Sequence, residues 1–208
     1  MPACDRDVLD EAALVAAIGE PMEFVRAKIC TSLNEAMREF IQRSPLILVS
    51  TLDEDGFPDV SPKGDPPGFV QIDEAGDLLI PERPGNRLAF GFRNILRDSR
   101  IGLIFIAPGQ RETLRVKGTA TLHRDPDQLP KMQVSGKPAL LYTRVRIAEC
   151  FFHCGKALIR SHLWNPAQWE AGARSIAARQ FTAQPPADEE TLRQTEAMLE
   201  QAYRDQLY

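Results

Sequence analysis

The chain has 208 residues, 26% of them charged, with 25 lysines and arginines against 29 acids and a net charge of −4. Both signs are well mixed, which leaves no basic footprint for nucleic acid and no polybasic face for a membrane, so partners are expected to be small molecules or protein. Apolar runs such as Ile101 to Ala107 are far short of a bilayer span, and acids stand where a signal peptide would be basic and then apolar, so a cytoplasmic location is expected.

No Gly/Ser-rich linker divides the chain, and its length suits one sizeable core. Residues 1–31 read as an N-terminal helical extension, 32–165 as the main domain, and 166–208 as a linker and terminal helix. A short amphipathic helix is predicted from about Asp10, with Leu14, Val15 and Ile18 at helical spacing and Gly19 and Pro21 stopping it. A second spans about Ser32 to Arg43, where Leu33, Met37, Phe40 and Ile41 form one stripe to lie against a sheet.

The stretch from Pro45 to Asp65 organises the rest of the chain. Leu46 to Val49 is a β-branched-rich run, Asp53-Glu54-Asp55-Gly56 is turn chemistry, and Phe57 to Val60 is a second strand. That strand runs into Ser61-Pro62-Lys63-Gly64-Asp65, a hook carrying a hydroxyl, an ammonium and an unhindered backbone. Such parts bind anions, or simply form a solvated loop.

Brief strands are predicted at Phe69 to Ile72 and Leu78 to Ile80, separated by the Asp73-Glu74-Ala75-Gly76 turn. A second polar concentration, Pro81 to Arg87, leads into a helical pattern of Leu88, Phe92, Ile95 and Leu96. Gly85-Asn86 before a helix start would leave backbone donors at the positive end of the dipole, with Arg83 and Arg87 alongside. Ile101 to Ala107 reads as a central strand, and Thr113 to Leu122 as a half-buried one with a basic outer row. Asp125-Pro126-Asp127 opens a helical connection through Met132, and Leu140 to Phe152 is the last long strand. Lys156 to Trp164 is a short helix or turn, residues 165–187 read as irregular, and a helix follows Asp188. Six or seven strands in hairpin order, with helices at the ends, predict a mainly β fold: an antiparallel barrel with flanking helices.

Cys4, Cys30, Cys150 and Cys154 follow no disulfide-scaffold spacing and are expected to be thiols. Cys150, His153 and Cys154 could supply zinc ligands, but no fourth ligand stands nearby, and along a strand Cys150 and His153 face opposite sides, so no metal is expected.

With these motifs in order, PDVSPKGD, LLIPERPGNRLAFGFRNIL, ETLRVKGTATL and FFHCGKALIRSHLW, the chain resembles the pyridoxamine 5'-phosphate oxidase-related FMN-binding split-barrel family over about residues 35–165. The resemblance implies a six- to seven-stranded split barrel that binds FMN. It places Asp59, Val60, Ser61, Pro62 and Lys63 along the flavin, and Ile80, Pro81, Gly85, Asn86 and Arg87 at its phosphate. Arg93 and Asn94 follow on the helix, and Thr113 and Arg115 approach from the neighbouring strand. Residues near Phe152 to Trp164 would come from the second subunit of a homodimer with FMN at the interface, Trp164 among them. Apart from the resemblance, Lys63, Arg87 and Arg93 could be surface charges, Asn94 helix surface and Trp164 a packing residue.

The implied activity is an FMN-dependent oxidoreductase acting through hydride transfer, with a small-molecule substrate or NAD(P)H as partner and no acid, base or nucleophile among the named residues. Vitamin B6 phosphate oxidation itself is not expected. Arg160-Ser161-His162 matches the family's Arg-x-His set, but Leu163-Trp164 follows where a second arginine belongs, and Gly85 replaces a phosphate-loop serine. Two alternatives stand beside it: a flavin or haem carrier without turnover, and an F420-dependent reductase whose acidic cosubstrate tail would meet Arg115, Lys117 and Arg144.

Overall fold

The computed structural model describes residues 9–85, 87–169, 176–181, 183, 188–205 and 208. Seven strands form one antiparallel sheet in the order β2-β1-β5-β6-β7-β4-β3. They are β1 (Leu46–Leu52), β2 (Pro58–Gly64), β3 (Gln71–Ile72), β4 (Leu78–Glu82), β5 (Arg100–Ile106), β6 (Thr113–His123) and β7 (Leu141–His153). The fold is mainly β, a split barrel with flanking helices, as expected. The β1–β2 hairpin holds, but its second strand runs on through Gly64, so Ser61 and Lys63 lie in the ladder opposite Val49 and Ile47 and not in a loop.

Cross-strand neighbours share a face in an antiparallel ladder, so the buried positions mark the barrel interior. Ile47, Val49, Leu103, Phe105, Leu114, Val116 and Val145 fill it, with Ile80 and Leu78 from β4. Each such residue contributes ~2 kcal/mol by burial. β4 is buried on both sides, because Leu79 packs with Met132, Ala139 and Tyr142 beneath the connection between β6 and β7. β6 and β7 slip register between Lys117 and Gly118. There the backbones approach so closely that a Cβ on Gly118 would lie 2.0 Å from the Arg146 carbonyl oxygen, a contact only glycine tolerates.

The helices are α1 (Glu11–Ile18), α2 (Glu23–Arg26), α3 (Glu35–Arg43), α4 (Phe90–Arg97), α5 (Lys156–Arg160), α6 (Ile176–Phe181) and α7 (Glu189–Asp205). α3 behaves as its stripe predicts: Asn34 caps it by accepting from the Met37 amide, and Met37, Phe40 and Ile41 are buried. α1 begins where predicted, with Asp10 as its cap, yet none of its residues is buried. Beyond Glu11 the helix is apolar on all sides and not amphipathic as expected, and none of it is buried against the described residues. α6, packed on α7, occupies part of a stretch expected to be irregular.

Candidate functional site

Near the two ends of the strand order, β2 and β4 meet at a seam. On β2, Asp59, Ser61 and Lys63 stand opposite Thr51, Val49 and Ile47, and therefore share the inward face. On β4 the inward series ends at Glu82. Lys63 Nζ donates to Glu82 Oε2 at 2.5 Å and Thr143 Oγ1 donates to Oε1 at 2.8 Å. One step along, Arg83 Nε donates to Asp65 Oδ2 at 2.7 Å, and its Nη2 to the Met132 carbonyl at 2.7 Å. β2 and β4 are joined by side-chain ion pairs, with no ladder between them.

A cavity of about 800 Å³ opens over this seam. Its floor is this set of ion pairs, and Phe92 lies beneath the Lys63 ammonium, 4.6 Å from ring centroid to Nζ. Burial holds the Glu82 carboxyl above its ordinary range, and the Lys63 charge, the largest opposing influence, only partly offsets this. Tyr208 stands at the cavity edge, where its carbonyl accepts from Lys137 Nζ at 2.6 Å. Burial and then the nearby Asp65 raise its phenol above the usual value.

The rim differs. Arg87 is exposed and makes no ion pair among the described residues, and both Arg87 and Ala89 adopt left-handed backbone, at φ 64 and 55. Each such non-glycine residue stores ~1 kcal/mol or more of strain, which gathers at ligand-binding loops. The strain corrects one expectation: α4 starts at Phe90 after the left-handed Ala89, so Gly85 does not sit at the helix N-terminus. Asn86 lies outside the described residues.

Of the residues singled out from the sequence, Asp59, Ser61, Pro62, Lys63, Pro81, Gly85 and Arg87 line this one cavity. Ile80 lies in the core beneath it, and Val60 faces outward on β2. Asn94 is buried and donates to Thr51 Oγ1 at 3.0 Å and Asp59 Oδ2 at 3.1 Å, holding the cavity wall in place. Arg93 is exposed on α4, away from the lining. Thr113 and Arg115 begin β6 on the outer side of the barrel, where the Arg115 guanidinium stacks 5.7 Å from the Phe151 ring. Trp164 lines a second cavity, of about 320 Å³, and its indole N–H donates to the Gln110 carbonyl at 2.7 Å.

Asp65 and Glu82 stand within the two polar stretches but were not assigned to the site, and Tyr208 was missed. The signal for Glu82 was legible: an acid that continues the apolar run Leu78-Leu79-Ile80 must be partnered once buried. The basic row needs correcting, since Lys117 pairs with Glu149 at 2.8 Å and Arg144 with both Asp73 and Asp77 at 2.8 Å. Two of the three cations expected to attract an acidic tail are already neutralised.

The model of the family described as pyridoxamine 5'-phosphate oxidase matches residues 33–154, from the start of α3 through β7, and so takes in the seam and both cavity walls. The chain belongs to the pyridoxamine 5'-phosphate oxidase family. Solved structures similar to this family member include HupZ of Group A Streptococcus, at 17% identity and TM-score 0.47, covering 58% of this chain and 93% of that one. General Stress Protein 26 of Bacillus anthracis is 14% identical over 57% of this chain and 91% of its own, with TM-score 0.45. An F420 reductase is 18% identical over 57% and 98%, with TM-score 0.44. Similarity this low carries nothing about ligand or reaction to the present chain. No curated protein matches it. Among the described residues, no helix is long and apolar enough to cross a membrane.

Proposed function

We propose that this family member binds FMN in the seam cavity and works as an oxidoreductase by hydride transfer. One observation carries the reading: the β2 strand end and the loop after β4, distant in sequence, converge on one cavity whose rim holds an exposed guanidinium, Arg87, with no ion pair among the described residues. The donor set fits the group. The volume lies within the range of ligand pockets, ~300–1,000 Å³. A phosphate monoester needs cations and N–H donors, which Arg87 and the Gly85 backbone supply at the rim. Arg83 Nη1, buried without a partner among the described residues, leaves one floor donor for a neutral acceptor atom of the ring system.

The paired floor suits an uncharged ring system better than a phosphate, since Lys63 and Arg83 are each neutralised by a carboxylate. Arg87 and Gly85 would hold the phosphate, while Ser61, Pro62 and Pro81 would flank the ring. Asn94 and Glu82 would keep the walls in register. When bound, FMN supplies two-electron chemistry at its N5, and the chain contributes position and exclusion of water. The outward face of β1, β2 and β5 leaves Leu46, Val60 and Ile104 exposed on neighbouring strands, which supports assembly as a homodimer.

The test is a spectrum. Protein that shows flavin absorbance as purified, or acquires it and quenches flavin fluorescence when titrated with FMN, supports the reading. Colourless protein that leaves FMN fluorescence unchanged overturns it. Oxidation of NAD(P)H by the FMN-loaded protein then separates an enzyme from a carrier.

A further inference from the structure

Residues 9–29 carry α1 and α2, neither of which buries a residue. The segment rejoins the barrel through a cysteine pair. Cys30 forms an isolated antiparallel bridge with Cys150 of β7: its N–H donates to the Cys150 carbonyl at 3.0 Å, and the Cys150 N–H returns the bond at 2.8 Å. Reciprocal bonds of this kind set the two Cα atoms ~5.5 Å apart with both side chains on one face. That separation lies inside the ~4.4–6.8 Å window in which a disulfide closes without moving the backbone far.

Both side chains lie on the core side, each sulfur turned to another partner, so closure requires both to rotate. Cys150 is fully buried and Cys30 packs against the same apolar cluster. Both are free thiols, Cys150 directed at the Ser32 carbonyl at 3.4 Å and at Met37 Sδ at 3.6 Å, and Cys30 at the Lys28 carbonyl at 3.5 Å. Residue 30 belongs to no regular strand, so nothing in a ladder resists a small closing shift. Nearby, Lys28 lies 5.2 Å from the Phe151 ring centroid, so the segment runs alongside β7 at this point.

We propose that Cys30 and Cys150 are a dithiol modification site that oxidises to an intramolecular disulfide and fastens the N-terminal segment to β7. The oxidant is a hydroperoxide. The half-exposed Cys30 thiolate attacks the peroxide oxygen, giving a sulfenic acid and releasing water or alcohol; Cys150 sulfur then displaces the hydroxyl, which leaves as water with the Cys150 proton. Two thiols lose two electrons and the peroxide gains them. Cys30 acts first because burial raises the Cys150 thiol above its ordinary value and keeps it protonated. The site stands apart from the seam cavity, so it does not depend on the cofactor assignment.

The test uses the full-length protein, reduced and then treated with hydrogen peroxide. After remaining thiols are alkylated, peptides are mapped by mass spectrometry without reductant. The expected product is a peptide pair joining Cys30 to Cys150, two hydrogens lighter than the separate thiols and released by dithiothreitol. It is retained in Cys154→Ser and lost in Cys30→Ser, which leaves the buried partner in place. Closing so long a loop should also raise the Tm of oxidised wild type by ~5 °C or more, with no rise in Cys30→Ser. Alkylation of both Cys30 and Cys150 after peroxide overturns the proposal, as does a pairing of Cys30 with Cys4 or Cys154.

Discussion

The floor and the rim of the seam cavity are built from the same residue types to opposite ends. On the floor, Lys63 and Arg83 are largely buried beside their carboxylates, at side-chain exposures of 21% and 12%. On the rim, Arg87 is exposed, unpaired among the described residues and held in strained backbone. A cation already neutralised at hydrogen-bond distance has little left for an incoming anion, whereas an unpaired one keeps its donors. The floor therefore belongs to the stability of the split barrel, where it replaces the missing ladder between β2 and β4, and the rim is where the proposed binding would fall.

Breaking the floor should show this most strongly. Asp65→Asn leaves the Arg83 guanidinium buried without its countercharge, and arginine cannot escape by losing a proton. The expected cost is ~3 kcal/mol in urea or thermal unfolding. Lys63→Met strands Glu82 instead, and a carboxylate can escape by taking a proton, so ~2 kcal/mol is expected at neutral pH. The sign with pH comes from the raised Glu82 value. From its ordinary 4.5 upward, the folded state binds more protons than the unfolded one, so stability falls as pH rises through that window. Without Lys63 the shift grows. The variant should match wild type below pH 4.5 and diverge above it, and a penalty independent of pH would sink this account.

The rim should answer a different measurement. Arg87→Ala is expected to leave unfolding within ~0.5 kcal/mol, since the side chain is exposed and has no ion pair among the described residues. It should weaken FMN binding by ~10- to 100-fold in a fluorescence titration, the worth of a charge-assisted bond to a phosphate. If Lys63→Met, assayed where it stays folded, loses as much affinity as Arg87→Ala, the division between floor and rim fails.

This division marks what the sequence could and could not reveal. The barrel was legible because β5 is a continuous apolar run and β6 alternates along its length, and α3 because its apolar stripe matches the face it buries. The convergence of Ser61 to Lys63 with Pro81 to Arg87 came from the order of motifs and not from any one of them. What escaped was ion pairing between residues distant in sequence. Lys63 and Glu82 are 19 residues apart and Arg144 and Asp73 are 71 apart, and no local pattern says which acid a given cation will meet. Similarly, α1 shows an apolar spacing that suits packing, yet whether a surface exists to receive it is a property of the whole fold.

The smallest expected effect isolates the strain in the rim. Ala89 caps α4 in left-handed backbone at φ 55, where its Cβ crowds the following carbonyl, and it contributes no side-chain hydrogen bond to the helix start. Glycine adopts that conformation at no steric cost but loses more entropy on folding, so the two effects partly cancel. Ala89→Gly should therefore stabilise the protein by ~0.5 kcal/mol in denaturant unfolding, with the slope unchanged. If the strain serves to hold Arg87 toward a phosphate, the same variant should bind FMN a few-fold more weakly while unfolding less readily, because the loop gains conformations that point the guanidinium elsewhere. Stability and affinity moving in opposite directions from one methyl group would tie the backbone of the rim to binding. An equal gain in both would assign the strain to the helix start alone.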